Sequence, residues 1–167
     1  MASHTVIDNF LDKKQFEGLS KIIMGPHFPW FFANVESRGA VDIKENDKKL
    51  TYLTHVMYDN YVSNSRYFND FLNLILLLKP KALLKIKANC YLRTPRIVKH
   101  GVHVDYKFPH KGAIFYINTN NGKTILDDGK EITSVANRML FFDASKMHSS
   151  TSCSDQKARF NINFNYL

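Results

Sequence analysis

Residues 158–167 read ARFNINFNYL, and this alternation sets the fold class of the second half of the chain. Phe160, Ile162, Phe164 and Tyr166 occupy every second place, with Arg159, Asn161, Asn163 and Asn165 between them. Successive side chains of a strand point to opposite faces, so this is a strand with one apolar and one polar face. The polar face has two readings. On the inner face of a small barrel, an arginine is costly unless an anion meets it, and its planar fork suits a carboxylate. On an edge strand the same arginine would simply face solvent. Alternation alone does not choose between them.

The same character extends back to Pro80. The runs ALLKIKANCYL, GVHVD, GAIFYIN, KTILDD, RMLFFDA and HSSTSC are β-type and are separated by Gly, Pro, Asn and Asp. Many short strands with turn signals predict a sandwich or barrel. The first half differs. VIDNF alternates like a short strand. Asp12 can cap a helix whose Phe16, Leu19, Ile22 and Ile23 share one face, with Gly25 to end it. PHFPWFFANV predicts a turn and then an extended buried segment. The polar stretch 36–49 predicts a loop, and LTYLTHVMYDN is ambiguous. A second helix is expected over 65–79, stopped by Pro80, with Phe68, Phe71, Leu72, Ile75 and Leu78 as its stripe. The expectation is a mainly β chain with N-terminal helices (α+β), in which those helices buttress a C-terminal barrel.

At 167 residues the chain fits one domain with a substantial core. No linker or internal repeat divides it. Hydrophobic residues make up 44% and charged residues 23%, a soluble globular composition. The longest apolar run, LILLL at 74–78, is too short to cross a membrane, and MASHTVIDNF lacks the layout of a secretory signal. Cys90 and Cys153 have no metal-type spacing and read as reduced thiols, so a cytoplasmic location is expected. The formal net charge is +8, and residues 79–111 hold nine Lys or Arg and one acid, Asp105. That bias favours an anionic ligand without amounting to a nucleic-acid motif.

GVHVDYKFPHKGAIFYIN begins at Gly101 and places His103 and Asp105 two apart. In a strand both side chains point to one side, offering an imidazole and a carboxylate to a common point. FFDASKMHSS supplies His148 near the start of another strand. Two histidines and one carboxylate make the facial triad of non-haem Fe(II) oxygenases, with open positions for a cosubstrate and oxygen. By itself H-x-D is a weak signal, and the chain has seven histidines.

The order H-x-D, AIFYIN, G-x-T, NRMLFFD, His148 and then Arg159 resembles the 2-oxoglutarate-dependent Fe(II) dioxygenases, most closely the prolyl-4-hydroxylase-like branch with its small stand-alone bacterial and phage members. The likeness covers roughly 82–167. It implies a double-stranded β-helix (jelly-roll, cupin-like) barrel, with 1–167 as a single oxygenase domain: 1–81 the helical support and substrate-side loops, 82–167 the barrel core. It implies that His103, Asp105 and His148 hold Fe(II) and that Arg159 binds the distal carboxylate of 2-oxoglutarate with help from Tyr116. Tyr91 falls on another cosubstrate-lining tyrosine, and Asn163 on a small polar pocket position. Thr124 packs or hydrogen-bonds near the site, and Gly122 signals a turn. Asp143 reads as a turn former and His110 as a loop residue outside the triad.

The implied reaction consumes 2-oxoglutarate and O2, hydroxylates a substrate C–H bond and releases succinate and CO2, with ascorbate as a supporting reductant. The expected substrate is a protein side chain such as prolyl, or a small molecule, with no membrane partner. Trp30, Tyr52, His55, Tyr58 and Tyr61 read either as a substrate wall or as packing aromatics. Strict alternation from Tyr91 through Asn89 also brings Lys87 and Lys85 to the inner face. A bulge, a lysine in the pocket, or a position beyond the rim would each accommodate them. A nucleic-acid dealkylating oxygenase is the first alternative, on the basic charge and R-x-N at Arg159 and Asn161. Asn165 stands where that group carries a second arginine. A cupin-like protein that binds a metal or a small acid without turnover is the other.

Overall fold

The computed structural model describes residues 4–33 and 52–167. The expected loop at 36–49 lies outside the described residues. In chain order the elements are β1 (His4–Ile7), α1 (Lys13–Ile23), β2 (Phe31–Ala33), β3 (Tyr52–Asp59), β4 (Val62–Ser63), a 3-10 turn (Arg66–Phe71) and α2 (Leu72–Leu78). Then follow β5 (Leu83–Leu92), β6 (Lys111–Tyr116), β7 (Lys123–Ile125), β8 (Glu131–Thr133), β9 (Arg138–Asp143), β10 (Ser149–Ser150) and β11 (Ala158–Tyr166).

Two antiparallel sheets result. The larger runs β1-β9-β6-β11-β5-β3-β2, with β4 paired to β3; the smaller runs β10-β7-β8. Isolated bridges Lys99–Thr151 and His103–His148 carry the segment between β5 and β6 along the β10 side of the small sheet. β11 lies centrally, between β5 and β6. Its alternation therefore separates two buried faces, not core from solvent. Ile162, Phe164 and Tyr166 pack outward with Phe115, Met139, Ile86 and Met57 beneath α1 and α2, represented there by Leu19, Ile23, Leu74 and Leu78. A second cluster, including Ile114, Tyr116, Leu140 and Phe142 with Leu126 and Ile132, joins the inner face to the small sheet.

Local chemistry explains the helices. Asp12 caps α1 by accepting from the Gln15 amide at 2.9 Å, and Gly25 lies beyond its C-cap, Met24. The expected second helix is broken in two. Ser65 caps the 3-10 turn, and only seven residues are α-helical before Lys79 turns left-handed ahead of Pro80. The tighter turn rotates the stripe, so Leu74 is buried while Leu72 is exposed.

Two further expectations are corrected. GVHVD is not a strand; His103 alone is bridged, because it meets the small sheet at its margin. Phe31 and Phe32 are 60% and 79% exposed, since β2 lies at the margin of the large sheet; of that aromatic run only Phe28 is buried. The bulge considered for this strand is present beside Lys85, where Leu84 is an extra residue of β5 opposite the Asn165–Tyr166 step, and β3 has another between Val56 and Tyr58; Lys85 and Lys87 still pair with Asn165 and Asn163. Among the described residues, no helix is long and apolar enough to cross a membrane.

Candidate metal centre and anion pocket

The His103–His148 bridge is a narrow pair whose amides and carbonyls bond both ways at 2.9 Å. It holds the two imidazoles 4.6 Å apart, centroid to centroid. Asp105 completes the group: its Oδ1 lies 3.7 Å from His103 Nε2 and its Oδ2 3.9 Å from His148 Nε2. One ligand atom from each residue lies within 4.8 Å of the others.

The surroundings fix the chemical state of these donors. His103 Nδ1 lies 3.2 Å from the Gly101 carbonyl and His148 Nδ1 3.0 Å from the Lys146 carbonyl. A carbonyl only accepts, so each Nδ1 carries the proton and each Nε2 turns a lone pair to the centre. Burial, and then the charge of His148, lower the His103 pKa and favour neutral imidazole. Burial acts to raise the Asp105 pKa, but His148, Lys87, His103 and the Asn163 hydrogen bond outweigh it and hold the carboxyl below its ordinary range. Asn163 Nδ2 donates to Asp105 Oδ2 at 3.1 Å. Neutral imidazoles and an ionised carboxylate are the states that ligate, and this donor set suits Fe(II).

Arg159 is wholly buried. Its Nε donates to Ser134 Oγ at 2.7 Å and its Nη2 to Thr124 Oγ1 at 3.0 Å, while Nη1 bonds to Ser150 Oγ and to the Thr151 carbonyl at 3.2 Å. Tyr91 and Tyr116 flank the guanidinium, with ring centroids 5.3 and 5.7 Å from Cζ. The Tyr116 hydroxyl donates to Thr124 Oγ1 at 2.8 Å, so Thr124 accepts from both Tyr116 and Arg159 and keeps its own proton to give. Among the described residues no carboxylate pairs with Arg159. A buried guanidinium supplied only with neutral acceptors remains one negative charge short.

Register joins the two features. On β5 and β11, Tyr91 faces Arg159, Asn89 faces Asn161, Lys87 faces Asn163 and Lys85 faces Asn165. All share the inner face, with Arg159 at one end and the triad at Asn163. Thus His103, Asp105, His148, Arg159, Tyr116, Tyr91 and Asn163 converge on one cleft. Of the candidate wall aromatics, Tyr52 stacks on Tyr91 at 5.1 Å, while Trp30, His55 and Tyr58 pack against Phe28, Phe160 and Phe68. His110 bonds to the Phe108 carbonyl, and Asp143 accepts from the Ser145 amide at 3.1 Å.

Sequence reasoning missed Ser134 and Ser150 and undervalued Thr124. Ser150 was accessible, because it lies two residues past His148 on the same side of a short strand. Ser134 follows β8 in a loop and had no signal. Gly122 does more than turn: a Cβ there would lie 2.5 Å from Arg159 Cδ.

No protein-family model and no curated protein sequence matches the chain. Solved structures do match its shape. An oxidoreductase of the 2OG-Fe(II) oxygenase family from Burkholderia pseudomallei superposes with a TM-score of 0.70 at 11% identity, over 98% of this chain and 84% of that one. The viral collagen prolyl hydroxylase of Paramecium Bursaria Chlorella virus-1, solved as a 2OG complex, gives 0.62 at 10% identity over 99% and 97%. A prolyl hydroxylase from Trichoplax adhaerens, in complex with a hypoxia inducible factor peptide fragment, gives 0.62 at 12% over 99% and 83%. The architecture is therefore the jelly roll of the 2-oxoglutarate/Fe(II) oxygenases, including prolyl hydroxylases. At these identities the likeness is one of fold, and the activity has to be argued from the site.

Proposed function

We propose that this chain is a 2-oxoglutarate- and Fe(II)-dependent dioxygenase that hydroxylates a C–H bond of a protein side chain, such as prolyl, or of a small molecule. The observation that carries this reading is Arg159: a buried guanidinium without a carboxylate partner among the described residues, on the same inner face as the triad. His103, Asp105 and His148 would hold Fe(II), leaving one side of the metal open. Arg159, Thr124 and Tyr116 would take the distal carboxylate of 2-oxoglutarate, with Tyr91 covering the cosubstrate. The bound iron, with O2 and 2-oxoglutarate, supplies the oxidation: one oxygen atom enters the substrate as hydroxyl, the other enters succinate, and CO2 leaves. The chain's own part is to orient three ligands and neutralise the cosubstrate. A peptide substrate is supported by the Trichoplax adhaerens complex.

The test is 2-oxoglutarate binding to protein loaded with Fe(II) without oxygen, followed by succinate release on admitting O2. Micromolar binding that weakens at least about a hundredfold in Arg159→Ala is expected, since the buried counter-charge of the carboxylate and its charge-assisted hydrogen bond are lost. Unchanged affinity in both Arg159→Ala and His103→Ala would reject the reading.

A further inference from the structure

We propose that Lys87 is the substrate-selecting residue of this cleft, taking a free carboxylate carried by the molecule that is oxidised. This rests on the oxygenase reading and adds a substrate class to it.

Lys87 lies on the inner face of β5, directly opposite Asn163, which itself bonds to Asp105. Opposed residues of neighbouring strands have Cα atoms about 5 Å apart, so the root of the Lys87 side chain lies beside the metal site. Lys85, two residues earlier on the same face, is neutralised by Asp59 at 2.5 Å. Lys87 has no such partner among the described residues; its Nζ lies 6.0 Å from the centroid of the Tyr52 ring. It is only partly exposed.

Formal charge then selects the ligand. Asp105 offsets one of the two charges on the iron, and Arg159 and Lys87 add one each. The dianionic cosubstrate offsets two. One positive charge remains in a half-closed cleft, at its metal end, where the reacting C–H must lie. The neighbouring polar atoms agree with a ligand here. Because Asn163 Nδ2 donates to a carboxylate, its amide orientation is set, and its buried Oδ1 lacks a donor among the described residues. A carboxylate on Lys87, with an N–H or O–H group beside it, would satisfy both. The approach is also basic: Arg93, Arg96, Lys99, Lys107 and Lys111 are exposed along the segment that carries the triad's first two residues, and its one acid, Asp105, belongs to the triad. Such a field concentrates anions at the opening.

The experiment uses whole protein loaded with Mn(II) and 2-oxoglutarate, so that binding is read without turnover. Calorimetry is run with three sets of probes: N-acetyl amino acids with a free α-carboxylate, their amides, and the amides of N-acetyl aspartate and glutamate. The first and third sets distinguish a main-chain from a side-chain carboxylate. At least one carboxylate set should bind wild type about tenfold more tightly than its neutral counterparts, as expected for one charge-assisted pair. In Lys87→Met that preference should fall to within about twofold, with 2-oxoglutarate affinity kept within about twofold; Lys87→Glu should exclude the acids.

Three results overturn the proposal: no carboxylate preference in wild type, which includes no binding at all; a preference that survives Lys87→Met; or a tenfold loss of 2-oxoglutarate affinity in Lys87→Met, which would assign the lysine to the cosubstrate. A wild type that does not bind 2-oxoglutarate defeats the oxygenase reading itself, and the 2-oxoglutarate titration reports that separately.

Discussion

Gly122 leaves open the space through which the Arg159 side chain passes. A Cβ on Gly122 would lie 2.5 Å from Arg159 Cδ and 2.8 Å from both Asn120 Oδ1 and the Ser152 carbonyl. Two of those atoms could shift only by breaking something: Asn120 Oδ1 accepts from the Gly122 amide at 2.9 Å, and the Ser152 oxygen is backbone. Gly122→Ala should therefore displace the guanidinium. Overpacking of this kind costs about 1–3 kcal/mol, and 2-oxoglutarate affinity should fall with stability. Urea denaturation and a cosubstrate titration check both. An alanine variant matching wild type in the two measurements would show that the close approach is not needed.

Thr124 and Tyr116 should separate in their effects although they bond to each other. Thr124→Val removes the acceptor shared by the Tyr116 hydroxyl and Arg159 Nη2, leaving two buried donors without a partner. Each stranded group costs about 1–3 kcal/mol. Tyr116→Phe leaves the Arg159–Thr124 bond in place and should cost only about 1 kcal/mol. The same order is expected for loss of 2-oxoglutarate affinity. The reverse order would make Tyr116 the primary partner.

His100 should give the stability curve an acid limb. It lies 4.9 Å from the Tyr91 ring, and burial, with the charges of Arg159 and His103, pushes its pKa down to about 4 from 6.5. Between those values the unfolded chain binds a proton that the folded chain refuses. Stability from this group is therefore full above about pH 6.5 and is lost as pH falls toward 4, at about 1.4 kcal/mol per pH unit. His103 moves in the same direction. In metal-free protein, His100→Phe keeps a ring against Tyr91 and removes the titration, so its urea midpoints over this range should fall less steeply than wild type. Parallel curves would place the acid sensitivity elsewhere.

What could be read from the sequence followed from period and chemistry. ARFNINFNYL disclosed its two faces, and Asp12 disclosed the start of α1. His103, Asp105 and His148 could be picked out because their order with Arg159 resembles that of the oxygenases, although H-x-D alone is weak, and the structure groups the three. The rest depended on the third dimension. Whether Arg159 faced a barrel or solvent turned on β11 lying between β5 and β6, a pairing between residues far apart in sequence. Ser134 and Ser150 are small hydroxyl residues of a kind found throughout loops, and only their proximity to Arg159 distinguishes them. β8 was not anticipated, because Glu131–Thr133 has too few residues to show a period. Phe31 and Phe32 looked like core by composition, and a sheet margin gave them no cover.

Asn163 should tune the metal site without touching the metal. Its Nδ2 donates to Asp105 Oδ2, holding the carboxylate toward His148 and favouring its ionised form. Asn163→Leu keeps similar bulk and removes the donor. Partners that orient metal ligands typically contribute about 10–100-fold in metal affinity, and the lower part of that range applies here, because His103 and His148 are positioned by their own backbone bridge. The expectation is thus a roughly tenfold weaker Fe(II) or Mn(II) affinity in the variant, with the His103–His148 pairing undisturbed. Asn163→Asp gives the sharper contrast: a second carboxylate against Asp105 would raise the pKa of one of the pair by like-charge repulsion. Its metal affinity should then depend more steeply on pH than that of Asn163→Leu. Competitive metal titrations from pH 5 to 8 on the three proteins read both effects, and equal affinities across them would mean that Asp105 is held in place without its amide partner.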